Sequence, residues 1–148
     1  MLRALAAHPR TLWAVTDLFR LLVVILLAMH GVGHLIWLLA SWTRVRTGFG
    51  DGRWILPGEV TIRSPLGRLW GLAALLVTLL FVAAALALLA PSLQWRSIAN
   101  SGAIISLGVV IPWARQAPGW TAVNAIVADL IIMILVALPL SVDMVTGG

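Results

Sequence analysis

Residues Leu21 to Trp42 read LLVVILLAMHGVGHLIWLLASW and carry no formal charge. About 20 apolar residues in helical conformation cover the roughly 30 Å hydrocarbon core of a bilayer. This stretch is therefore long enough to span. A backbone in lipid must satisfy its own hydrogen bonds, which leaves helices or closed barrels. Barrel strands alternate apolar and polar residues, and this stretch does not.

Working outward, three further segments follow the same pattern. Residues 69–89, LWGLAALLVTLLFVAAALALL, are uninterrupted. Residues 98–113 are shorter and include Asn100, Ser101 and Ser106, and residues 120–140 include Asn124 and Asp129. The expected fold is all-α, a four-helix transmembrane bundle forming one integral membrane domain over residues 1–148. Residues 1–20, with His8 solvated among them, read as a retained amphipathic interfacial segment that lacks a cleavable small-residue site. Residues 43–68 form the one sizeable polar loop. Within it Gly48-Phe49-Gly50-Asp51-Gly52 reads as a turn, and a short surface hairpin pairing residues 45–47 with 53–56 is expected. Pro57-Gly58 reads as the break after that hairpin. Ser64-Pro65 reads as the N-cap and first turn of the second helix.

Composition points the same way. Hydrophobic residues make up 61% of the chain and charged residues 10%, with a mean hydropathy of +1.06. A soluble domain carries about a quarter of its residues charged, so this chain has too few polar side chains to coat a globule. The net charge is +5 and every basic residue is an arginine. These arginines fall at the ends of apolar segments, where they reach lipid phosphates rather than nucleic acid. Loops after the first and third spans hold Arg44, Arg46, Arg53, Arg63, Arg68 and Arg115; the opposite side holds Arg3, Arg10, Arg20 and Arg96. That bias leans towards both termini outside. The chain contains no cysteine, which excludes disulfides, thiol catalysis and cysteine-ligated metals. Trp37, Trp42, Trp70, Trp95, Trp113 and Trp120 lie near the expected span ends, as an interfacial belt requires.

Three ionisable residues fall at mid-span. His30 and His34 are separated by one helical turn and share a face, and Asp129 lies at matching depth in the last span. Ionisable groups at such depth face a bundle interior or a cavity. They admit three readings. Hydrogen bonds to Asp129, Asn124, Asn100 or Ser101 could lock helix packing. A histidine could ligate haem or a chlorophyll-type pigment, or the cluster could hold a quinone, with Gly31 and Gly33 leaving room for a flat ring. The trio could also relay protons in an oligomeric transporter. Two-histidine haem ligation across helices lacks its second histidine, and a zinc site lacks its fourth ligand. Ala99, Gly102 and Ser106 share one face of the third helix and mark a close helix–helix contact.

The motif His30-Gly31-Val32-Gly33-His34-Leu35 resembles the H-G-x-x-H-L opening of small bacterial four-helix membrane proteins of uncharacterised activity. Gly52-Arg53-Trp54 and Leu66-Gly67-Arg68-Leu69-Trp70-Gly71-Leu72 resemble that family's second-helix entry. Trp113-Ala114, Gly119 and Asn124 resemble its W-x-D-A-x-x-G-x-x-x-N segment, although Ala114 follows the tryptophan directly and no aspartate intervenes. The likeness runs from Met29 to about Met133 and implies a fold without an activity. The leading expectation is a structural or accessory subunit of a larger assembly in a bacterial cytoplasmic membrane, with other membrane subunits or a second copy as partners.

Overall fold

The computed structural model describes residues 9–90, 92 and 94–138. Its regular elements are helices, and among the described residues the only β pairing is one antiparallel bridge between Arg53 and Thr61. Helix α1 (Pro9–Gly33) and helix α2 (Leu35–Trp42) are two lengths of one rod interrupted at His34. They are followed by α3 (Pro65–Leu89), α4 (Gln94–Val110) and α5 (Thr121–Ala137). The stretches Asp17–Trp42 and Pro65–Leu89 are long and apolar enough to cross a bilayer, and α5 is apolar but shorter.

Several boundaries differ from the sequence reading, each for a local reason. Over its described part, the segment read as interfacial at residues 1–20 is helical and runs without a break into the first span. Pro9 is tolerated in the first turn of α1, and nothing after it breaks the helix before Gly33. Residues 1–8, His8 included, lie outside the described residues. Helix α4 begins at Gln94, where the Ser92 hydroxyl accepts from the Gln94 N–H at 3.3 Å. It ends at Val110 rather than 113 because Pro112 has no N–H to continue it, and the chain tightens into a 3-10 turn at Ile111–Trp113. Helix α5 closes at Ala137, and residues 139–140 of the expected span lie outside the described residues. At Ser64 the hydroxyl accepts from Gly67 N–H at 3.2 Å, with Pro65 in the first turn of α3.

Helix α3 is the centre of the bundle. It packs on α1, α2 and α4, and α4 in turn packs on α5, while α1 and α5 barely touch. Small residues let the backbones approach. A Cβ at Gly31 would sit 2.9 Å from Cβ of Phe81, and one at Gly102 would sit 3.3 Å from the Phe81 ring. Phe81, fully buried, thus wedges between a glycine of α1 and a glycine of α4. At one end of the bundle two arginines cap helix C-termini, whose last carbonyls have no helical partner. Arg20 donates to Leu88 O at 2.8 Å and to Leu89 O, and Arg96 donates to Val136 O and Leu138 O.

The other end is covered by the 43–64 loop, and its pairing differs from expectation. Residues 45–47 do not pair with 53–56. Instead Trp54 N–H donates to Val60 O at 3.0 Å, and Arg53 bonds Glu59 across a reversal built on Pro57-Gly58. The glycine-rich stretch before it lies along the α4–α5 connection, with Gly50 N–H donating to Gln116 O at 2.9 Å and Ile55 N–H to Pro112 O at 2.9 Å. The proline–glycine step is the sharper turn former, and the glycines serve close approach to Gln116. The tryptophans also depart from a simple belt. Trp42 and Trp120 are exposed, but Trp37, Trp95 and Trp113 are buried, and Trp54 packs against both Trp70 and Trp113.

Candidate functional site

The break in the first rod makes the site. Glycines at 31 and 33 weaken the helix, and the backbone switches to tighter bonding there. His34 N–H donates to Gly31 O and Trp37 N–H to His34 O, both at 3.1 Å. The carbonyls loosened by the break find side chains instead. Gly31 O accepts from the Thr78 hydroxyl of α3 at 2.8 Å, and His30 O accepts from Nδ1 of His34 at 2.9 Å. A carbonyl can only accept, so Nδ1 of His34 carries a proton.

From this point a closed chain of four side chains crosses three helices. Nε2 of His34 lies 2.7 Å from Oγ of Ser106 on α4. Ser106 Oγ lies 2.6 Å from Oδ2 of Asp129 on α5. Oδ1 of Asp129 lies 2.7 Å from Nε2 of His30 on α1. Asp129 and Ser106 are wholly buried and His34 is 1% exposed. The rings stack on aromatic neighbours: His30 meets Phe81 edge-on at 4.8 Å, and His34 lies nearly parallel to Trp37 at 5.6 Å.

Counting protons restricts what these contacts can be. Each of the three side-chain contacts needs one hydrogen, and Ser106 supplies one only. Two arrangements fill all of them without net charge on the cluster. In one, Asp129 donates from Oδ2 to Ser106, which donates to Nε2 of His34. In the other, Ser106 donates to Asp129 and a doubly protonated His34 donates to Ser106. The two differ by a concerted shift of two protons through the serine hydroxyl. Both require Nε2 of His30 to donate to Asp129, which leaves Nδ1 of a neutral His30 ring with a lone pair.

A cleft of about 400 Å³ opens between α1 and α5, lined by His30, His34, Trp37, Thr121 and Asn124 together with apolar residues. It exists because the helix order α1–α3–α4–α5 leaves the outer two helices apart. The His30 side chain is 8% exposed, and its Nδ1 makes no hydrogen bond among the described residues.

Of the residues singled out in the sequence, His30, His34 and Asp129 come together. Asn124 lies across the cleft, exposed, and takes no part in the network; Asn100 is half-buried and is not in it either. Ala99, Gly102 and Ser106 are all buried on the inner face of α4. Ser106 was expected to serve packing alone and is instead the hinge of the network. Its signal in the sequence is a hydroxyl at mid-helix on the small-residue face. The room expected for a flat ring beside the glycines is half present. Gly31 is filled by Phe81 and Thr78, whereas a Cβ at Gly33 would meet nothing within 4 Å. Haem ligation would have to use the one uncommitted imidazole nitrogen, Nδ1 of His30. Trp37, read as a belt residue, is a wall of the site.

No family model, no curated protein and no solved structure matches this chain.

Proposed function

We propose that the chain is a four-span integral membrane protein of a bacterial cytoplasmic membrane, acting as an accessory subunit whose helices are locked by the buried network. Two stretches meet the length and hydropathy of a span. Helix α5, with 17 residues, is about 25 Å long at about 1.5 Å per residue, which is the lower end of the spanning range. Large apolar side chains face outward along the bundle, among them Ile25, Val32, Leu79, Leu86, Val127 and Ile134. Water-soluble monomers seldom expose apolar surface so continuously.

The observation that carries the structural role is the complete burial of Asp129 with both carboxyl oxygens bonded to other helices. In lipid no hydrophobic effect separates helix from solvent, so packing of small residues and interhelical hydrogen bonds do the holding. The test is purification from a native membrane in mild detergent. A membrane partner, or a second copy, should stay bound at fixed stoichiometry through two chromatographic steps. A lone monodisperse monomer would refute the accessory role.

A further inference from the structure

We propose that the cleft between α1 and α5 binds a lipid-soluble hydroquinone or phenol whose hydroxyl donates to Nδ1 of His30. The inference rests on the four-span placement, which sets the mouth of the cleft at hydrocarbon depth, so that its occupant arrives from lipid. The volume of about 400 Å³ falls within the range of small-molecule pockets. Leu26, Met29, Ala125 and Ala128 give it apolar walls, and Trp37 gives it an aromatic one.

The chemistry of the occupant follows from what is left unpaired. The His30 side chain is more than nine-tenths buried and lines the cleft. Its Nε2 is committed to Asp129 at 2.7 Å. Of the other polar groups lining the cleft, His34 is engaged at both nitrogens and the Thr121 hydroxyl donates to Pro118 O at 2.6 Å, while the Trp37 indole N–H and the Asn124 amide make no hydrogen bond among the described residues. Both neutral proton arrangements of the network leave Nδ1 of His30 an acceptor. At Nδ1 of His30 the cleft therefore asks for an apolar molecule that brings a hydrogen-bond donor. An acyl chain has none, and a quinone or an aryl ether has acceptors only. A ring hydroxyl on an apolar body meets the requirement, with the Asn124 amide on the facing helix free to receive a second polar edge.

Gly33 supplies the variant for the test, because it lines the cleft and a Cβ there would meet nothing within 4 Å. The full chain, purified in detergent with 15N-labelled histidine, is titrated with a decyl-substituted 1,4-benzoquinol, its dimethyl ether and the oxidised quinone. The quinol should move the Nδ1 resonance of one histidine, His30, while ether and quinone bind about tenfold more weakly for want of a donor. Gly33→Leu should abolish the shift with its melting temperature unchanged or raised. Equal binding of quinol and ether would overturn the proposal and indicate an acyl-chain groove. Absence of any Nδ1 shift would overturn it as well, and so would a dimer of this chain that Gly33→Leu disperses. Membrane topology is read separately by cysteine labelling. A failed titration on a four-crossing protein therefore overturns this site and leaves the membrane reading standing.

Discussion

Asp129→Asn should leave the bundle nearly as stable as the parent, whereas Asp129→Ala should not. An asparagine can reproduce the arrangement in which no charges are separated. Its amide N–H donates to Ser106 Oγ, Ser106 donates to Nε2 of His34, and its carbonyl accepts from Nε2 of His30. Alanine removes both contacts, at 2.7 and 2.6 Å. Interhelical hydrogen bonds in membrane bundles contribute about 0.6 kcal/mol on average and up to about 1.7. Groups left unpaired in an apolar interior add roughly 1–3 kcal/mol. The alanine variant should therefore lose about 2–4 kcal/mol and the asparagine variant less than about 1 kcal/mol. For a chain of this size each kcal/mol shifts Tm by about 2–4 °C, so alanine should melt roughly 5–15 °C lower. Thermal unfolding of the detergent-purified protein, followed by circular dichroism, reads the difference. Equal losses for Asn and Ala would refute the reasoning, because they would make the carboxylate charge, rather than filled hydrogen bonds, the stabilising element.

Further outcomes follow from the packing. Gly31→Ala should destabilise by forcing α1 off Phe81 and Thr78, while Gly33→Ala should be neutral or stabilising by up to about 1 kcal/mol, the helix propensity gain; paired Tm measurements check both. Gly102→Leu should disrupt packing against Phe81 and cost more than Leu76→Ala, since Leu76 is 47% exposed; equal melting of the two would place that face of α4 outward. Arg20→Ala should lower Tm by an amount consistent with about 1 kcal/mol, the scale of a helix C-terminal cation, through loss of its bonds to Leu88 O and Leu89 O. The double variant Ser106→Ala with Asp129→Ala should cost less than the sum of the two singles, because both break the same network.

Much of the site could be read from depth and spacing alone. His30 and His34 share a face by helical period, and Asp129 at matching depth on another helix leaves few places for a carboxyl other than beside them. The asparagines misled because an amide carries more hydrogen-bonding atoms than a hydroxyl, yet Asn124 sits on the cleft side of α5 and Asn100 lies short of the network's level. Ser106 was readable only as a small residue, since whether its hydroxyl is bonded depends on which helix it faces. The interruption at His34 could have been suspected from the two glycines, but its consequence, carbonyls turned over to Thr78 and to an imidazole, depends on α3 lying alongside. In the 43–68 loop the two turn signals were both visible. Which of them reverses the chain is decided by contacts with Gln116 and Pro112, far away in sequence.

The absence of cysteine from the chain makes the central claim directly measurable. Single cysteines at Asp51, Ser92, Gln116 and Gly148, each labelled by a membrane-impermeant maleimide in sealed vesicles of known orientation, report the side of each connection. Four crossings require Asp51→Cys and Gln116→Cys to label from one side, and Ser92→Cys and Gly148→Cys from the other. Labelling of Ser92→Cys and Asp51→Cys from the same side, or of Gln116→Cys and Gly148→Cys from the same side, would contradict the four-span bundle.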